Sequence, residues 1–217
     1  MKTDMQLKKD VEAELEWEPS IDAAGIGVEV KDGIVTLAGH LDSYLAKLAA
    51  ERAVQRVAGV RGVAEEIDVR LPGSNQRTDA DIARAATDAL QWNSFIPQGC
   101  IKVKVENGWI TLAGEVDWAY ERSAAESTVH GLRGVKGVLN QIQLKQKASP
   151  NDIRVKIEAA LQRAAHLDTK GLKVLVEDGR VTLEGRVHSY VERHIVEDAT
   201  WAAPGVSAVV DRLTVSP

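Results

Sequence analysis

The stretch Asp32-Gly-Ile-Val-Thr-Leu-Ala-Gly39 decides the fold, because the chain writes it three times. It returns as Asn107-Gly-Trp-Ile-Thr-Leu-Ala-Gly114 and again as Asp178-Gly-Arg-Val-Thr-Leu-Glu-Gly185. The copies start 75 and then 71 residues apart, and such self-similarity is the signature of a repeated structural unit. A second marker follows each copy: Gly59-Val60, Gly134-Val135 and Gly205-Val206, each 26 residues after the hairpin glycines Gly33, Gly108 and Gly179. The ungapped register assigns three units, 4–71, 79–146 and 150–217. The connectors 72–78 and 147–149 are short, and the shorter second one predicts that units two and three sit closer than units one and two.

Working outward, Asp-Gly and Asn-Gly supply the positive φ angles of a type I′ turn, the strongest short hairpin signal. Ile26, Val28 and Val30 alternate with Glu29 and Lys31 before the turn, which reads as a half-buried strand. Val35 and Leu37, Ile110 and Leu112, and Val181 and Leu183 face the core on the return strand. Gly39, Gly114 and Gly185 end that strand, where glycine permits a tight bend or a close backbone approach to the next helix. Upstream, Leu7, Val11 and Leu15 mark a helix at apolar spacing. Its second copy is Ile82, Ala85, Ala86, Ala89 and Leu90, with Asp81 as the expected cap. Its third is Ile153, Ile157, Ala160, Leu161 and Ala164.

Second helices are predicted over 43–57, 118–132 and 189–202. On them Lys47/Glu51, Arg122/Glu126 and Arg193/Glu197 recur at i,i+4, and we read these pairs as solvated support. The Gly-Val marker then ends the helix, and a last strand runs through Val63, Ile67 and Val69 and their copies. The order αββαβ predicts an α+β fold: three tandem units, each a three-stranded mixed sheet with two helices on one face. A unit this small buries only about 60% of its unfolded surface, so contacts between units are expected to help hold it.

Composition excludes several classes. The chain has 217 residues, 44% apolar, with 27 Lys+Arg against 32 Asp+Glu and a formal charge of -5. The acidity is concentrated in unit one, with 8 basic and 14 acidic residues. No basic patch invites nucleic acid, and no apolar run reaches the roughly 20 residues of a spanning helix. The N-terminal residues show no export signal, so a cytoplasmic location is expected, or a periplasmic one through an unrecognised export route. One cysteine, Cys100, excludes an internal disulfide and reads as a small buried hydrophobe. His40, His130, His166, His188 and His194 never recur at an aligned position. No metal set, phosphate cradle or catalytic constellation emerges, so no cofactor and no enzymatic activity are expected.

The helix, the Val-x-Val-x-[Asp/Asn]-Gly-x-[Val/Ile]-Thr-Leu-x-Gly hairpin, the second helix and the Gly-Val before a last strand together resemble the BON domain of bacterial osmotic-stress and nodulation proteins. The resemblance covers nearly the whole chain, three times. It implies the αββαβ fold, a bacterial source, a link to osmotic or envelope stress, binding to phospholipid or another envelope component, and no catalytic residues. The osmotically inducible members it resembles are usually exported, often with two copies, whereas this chain has three.

The tryptophans carry the remaining signal. Trp17 and Trp92 align at the ends of the first helices, with Arg163 in the third copy; Trp109 lies on the sheet face opposite Ile110 and Leu112; Trp118 and Trp201 belong to second helices. Packing between units is one reading, and an amphipathic contact surface is the other. Trp92, Phe95 and Ile96, with Trp109, form the candidate contact set for a phospholipid or partner surface. The expected function is a non-enzymatic stress-response module that binds phospholipid or an envelope component through unit two. The alternative is a cytoplasmic scaffold that binds a protein partner or self-associates.

Overall fold

The structure, a computed structural model, describes residues 2–145, 150–163 and 171–216. Ala164, His166 and the connector 147–149 lie outside the described residues. Unit one comprises α1 (Asp4–Trp17), β1 (Ile26–Lys31), β2 (Ile34–Leu41), α2 (Tyr44–Arg56) and β3 (Gly62–Val69). Unit two repeats this order with α3 (Asp79–Trp92), β4 (Ile101–Glu106), β5 (Trp109–Val116), α4 (Ala119–His130) and β6 (Gly137–Leu144). Unit three follows with α5 (Pro150–Arg163), β7 (Lys173–Glu177), β8 (Arg180–Val187), α6 (Tyr190–Trp201) and β9 (Ala208–Val215). In each sheet the second strand is central, antiparallel to the first and parallel to the third.

The turns form as their residues dictate. Asp32, Asn107 and Asp178 have φ of 51°, 53° and 45°, and the glycines after them are positive too. In units one and two the first helix also grips the turn: Asp4 accepts from the N–H groups of Asp32 and Gly33, and Asp79 from those of Asn107 and Gly108. The cap of α3 is Thr78, not Asp81; its hydroxyl accepts from the Asp81 N–H and donates to the Asp81 carboxylate. The helix therefore starts early enough to bring Asp79 to the turn.

The strand-ending glycines serve a different contact from the one expected. A Cβ on Gly39, Gly114 or Gly185 would stand 2.1, 2.0 or 2.3 Å from the carbonyl oxygen of Gly25, Cys100 or Gly171. The close approach is to the chain entering the hairpin, not to the next helix. The fixed 26-residue spacing also has a cause: the carbonyls of Gly33, Gly108 and Gly179 accept from the N–H groups of Arg61, Lys136 and Ser207, just past the second markers.

Each unit has its own core. The i,i+4 pairs on the second helices are not solvated as expected. Their side chains bend over the last strand, whose middle inward position, opposite Leu37, Leu112 or Leu183, holds Glu65, Asn140 or Asp211. Lys47 pairs with Glu65 at 3.6 Å and donates to the Ile67 carbonyl. Asn140 donates to Glu126 at 2.9 Å, and Arg193 bridges Glu197 and Asp211. A polar group in a core register is tolerable only with such partners.

The second helices also join the units into a closed ring. Tyr44, Ala119 and Tyr190 stand at the same offset from the three hairpin glycines, as do Gln55, His130 and Trp201. Tyr44, at the start of α2, lies edge-on to His130 at the end of α4, ring centroids 5.4 Å apart, and packs on the core of unit two. Trp201, at the end of α6, packs on the core of unit two beside α4 and carries the Arg122 guanidinium on its ring. Tyr190, at the start of α6, packs on the core of unit one and donates to the Arg61 carbonyl at 2.9 Å. Each unit thus touches both others, so connector length does not decide which are close. Head-to-tail contacts of this kind close when the rotation allows; here they close at three.

Candidate contact surface

The loop after α3 is shaped by Asn93. Its side chain donates to the Thr128 hydroxyl on α4 at 2.8 Å and accepts from the Phe95 N–H at 2.9 Å. Pinned there, the chain turns Phe95 outward and Ile96 inward. Phe95 is 66% exposed and lies edge-on to Tyr120, centroids 6.5 Å apart. Ile96 is 7% exposed and belongs to the core of unit two. Ile96 is therefore removed from the expected contact set: the unit spends it on its own packing.

Trp92 ends α3 at 89% exposure, which excludes it as a packing residue, and Trp17 is nearly as open. Trp109 is exposed as well but stands elsewhere. It starts β5 beside the hairpin turn that Asp79 grips, and its ring lies over Gly137, where a Cβ would meet ring atoms at 2.4 Å. Trp92 is at the far end of α3, roughly 20 Å along a helix of this length, and on the other side of the sheet. The structure thus joins Phe95 to Tyr120 near the end of α3 and separates both from Trp109.

Two residues extend this end of the molecule. Trp118 occupies the N-cap place that Ser43 and Ser189 hold in the other units, where their hydroxyls accept from Ala46 and Glu192 N–H groups. Tryptophan cannot accept such a bond. Glu121 accepts from the N–H groups of Asp117 and Trp118 at 2.9 and 3.0 Å, as Glu192 does from His188, while the Glu121 N–H left without a serine donates to the Trp118 carbonyl at 3.2 Å. Across from Trp118, Trp201 carries the Arg122 guanidinium on its ring at 4.2 Å. Tyr120 had a legible signal: it aligns with Leu45 and Val191, also large, apolar and exposed. The cleft that Trp118 and Trp201 both line had none, because it depends on how two units pack.

Half-buried Cys100 packs against the core of unit two and donates to the Gln98 carbonyl. His188 and His194 sit on α6 or just before it, beside Glu192 and Glu197. Among the described residues no three metal-ligating side chains gather, and no helix is long and apolar enough to cross a membrane.

The sequence profile of the BON domain matches residues 3–70, 78–146 and 149–217. The chain belongs to the BON-domain family. As a BON-domain chain it is 28% identical over 146 residues to Osmotically-inducible protein Y of Escherichia coli (strain K12), spanning 65% of this chain and 73% of that protein. Among solved structures, the C-terminal domain of CdsD, a structural protein of the type III secretion system of Chlamydia trachomatis, aligns over 100% of both chains at 14% identity. A second CdsD structure aligns over 96% of this chain and 91% of its own, also at 14% identity. Both alignments have a TM-score of 0.27, too low to carry any structural argument.

Proposed function

We propose that this BON-domain chain is a non-enzymatic binding module of an osmotic or envelope stress response, touching phospholipid surfaces with the aromatic end of unit two. One observation carries the reading: Trp92, Phe95 and Tyr120 project outward near the end of α3, with no charged side chain from Gln91 to Gln98. Burying one such ring is worth roughly 1.5–3 kcal/mol, enough for weak, reversible contact without a cationic anchor. Family membership and the osmotic induction in the relative's name support the stress setting. On this reading the chain works from the cytoplasm, which cell fractionation tests.

The deciding experiment is sedimentation with phosphatidylglycerol/phosphatidylethanolamine vesicles. Trp92→Ala with Phe95→Ala should lower the bound fraction about tenfold or more, with an unchanged melting temperature because both side chains are open. Trp17→Ala should matter less, since Glu14, Glu16 and Glu18 surround it on the most acidic unit. Equal binding by the double variant would end this reading. A self-associating scaffold is the second reading, favoured by Trp109 and Leu139, both exposed on the open face of the second sheet. On that reading Trp109→Ala should shift sedimentation velocity.

A further inference from the structure

The ring offers an internal control: three interfaces built at the same offsets, one of which departs from the other two. At the start of the second helix, units one and three place a capping serine and then a tyrosine, Ser43-Tyr44 and Ser189-Tyr190. Each tyrosine fills the space against its neighbour. Unit two has Trp118-Ala119 instead. The small Ala119 leaves that space open, and Trp118 gives up the serine cap to stand at its edge. The gap between α4 and α6 is about 720 Å³, against about 250 Å³ between units one and two and about 350 Å³ between units one and three.

The lining differs in chemistry as well as size. Trp118, Tyr120 and Trp201 contribute aromatic surface, and among the described residues Asp198 is the one charged residue on the wall. Asp198 aligns with Arg52 of unit one, which together with Arg56 lines the interface of units one and three; Arg133 lines that of units one and two. Among the described residues no Lys or Arg lines the wall of the open cleft, and a carboxylate stands there instead. Arg122, stacked on Trp201 but not on the wall, lies beside Glu126 and fixes the ring. Aromatic faces attract a cation through their quadrupole, and a weakly hydrated cation enters such a cage more readily than a metal ion.

We propose that the α4–α6 cleft is a binding site for a small quaternary-ammonium cation, whether a free solute or the choline group of a lipid. The site shares Tyr120 with the vesicle contact proposed above, but neither Trp92 nor Phe95 lines it, so the two can be tested separately.

The test uses the full chain. Tryptophan fluorescence is followed during titration with tetramethylammonium chloride and choline chloride, at constant ionic strength with potassium chloride. Saturable changes are expected for both cations, with binding about tenfold weaker for neohexyl alcohol, the uncharged carbon isostere of choline. Asp198→Asn and Trp118→Ser should each weaken cation binding about tenfold. Trp118→Ser restores the residue type the other two units use, so its melting temperature should not fall. Phosphatidylcholine vesicles bound better than phosphatidylglycerol ones, with sensitivity to Trp118→Ser, would identify the lipid headgroup as the source. Binding of free choline alone would identify a solute. Equal affinity for neohexyl alcohol, cation affinity unchanged in Trp118→Ser, or binding of neither source would overturn the proposal. A wild-type response in Trp92→Ala/Phe95→Ala is expected, so failure of the vesicle reading would leave this one intact.

Discussion

At the scale of the residue, tolerance depends on what lies within reach of a single Cβ. Gly114 has a φ of 151°, and a Cβ there would fall 2.0 Å from the Cys100 carbonyl oxygen. Neither atom can yield without breaking the register of β4 against β5. Gly114→Ala should therefore cost about 2–4 kcal/mol, read as a lower urea midpoint. Gly99 is the comparison: its φ is 75° and nothing stands within 4 Å, so Gly99→Ala should cost only about 1–2 kcal/mol of backbone strain. Equal losses would show that close approach is not what selects glycine at the strand end. The need for glycine at Gly114 was legible in the threefold pattern, but its neighbour was not, because that carbonyl lies across the hairpin. The choice between Phe95 and Ile96 was illegible for a similar reason. Two adjacent apolar residues in a loop look alike until Asn93 reaches Thr128 on another helix and fixes which one turns in.

At the scale of the element, the second helix and the last strand of each unit share a polar seam, and unit three gives it a pH dependence. Burial first, and the hydrogen bond its protonated carboxyl donates to the Asp211 carboxylate second, push Glu197 up to about 7. Arg193, His194 and Asp198 on α6 and Asp211 on β9 are the ionisable groups around it. Because the folded pKa lies above the ordinary glutamate value of 4.5, its contribution to stability is full below that value and is lost as pH rises from there to about 7. The loss is on the order of 1 kcal/mol, since the carboxyl stays partly open to solvent. Melting curves of wild type and Glu197→Gln between about pH 4 and 8 should converge at the acid end and separate up to about pH 7, the variant becoming the more stable. A constant gap would refute the raised Glu197 pKa. The period-two strands and the Asp-Gly turns could be read along the chain because their signals are local. The seam could not, since i,i+4 spacing places two charges on one helical face without saying which way that face looks.

At the scale of the whole molecule, the three interfaces of the ring are not equally supported. Units one and two are tied by the connector 72–78 and units two and three by the connector 147–149, so each pair meets at a high effective concentration. Units one and three have no connector and depend on contacts alone. The Tyr190 hydroxyl bond to the Arg61 carbonyl and the His194 contact with Gln55 are two of these. Tyr190→Ala should therefore open the ring. The equivalent change Tyr44→Ala removes the same side chain from a tethered interface and should lower stability without opening anything. Small-angle scattering should show a larger radius of gyration for Tyr190→Ala only, and calorimetry should resolve its single melting transition into steps. The cleft lined by Trp118 and Trp201 sits at a tethered interface, so its ligand response should survive Tyr190→Ala. An unchanged radius in that variant would mean the surrounding α2–α6 contacts hold the ring without the tyrosine. An enlarged radius in Tyr44→Ala would mean the connectors supply no tether, and the ring would then be a single all-or-none assembly.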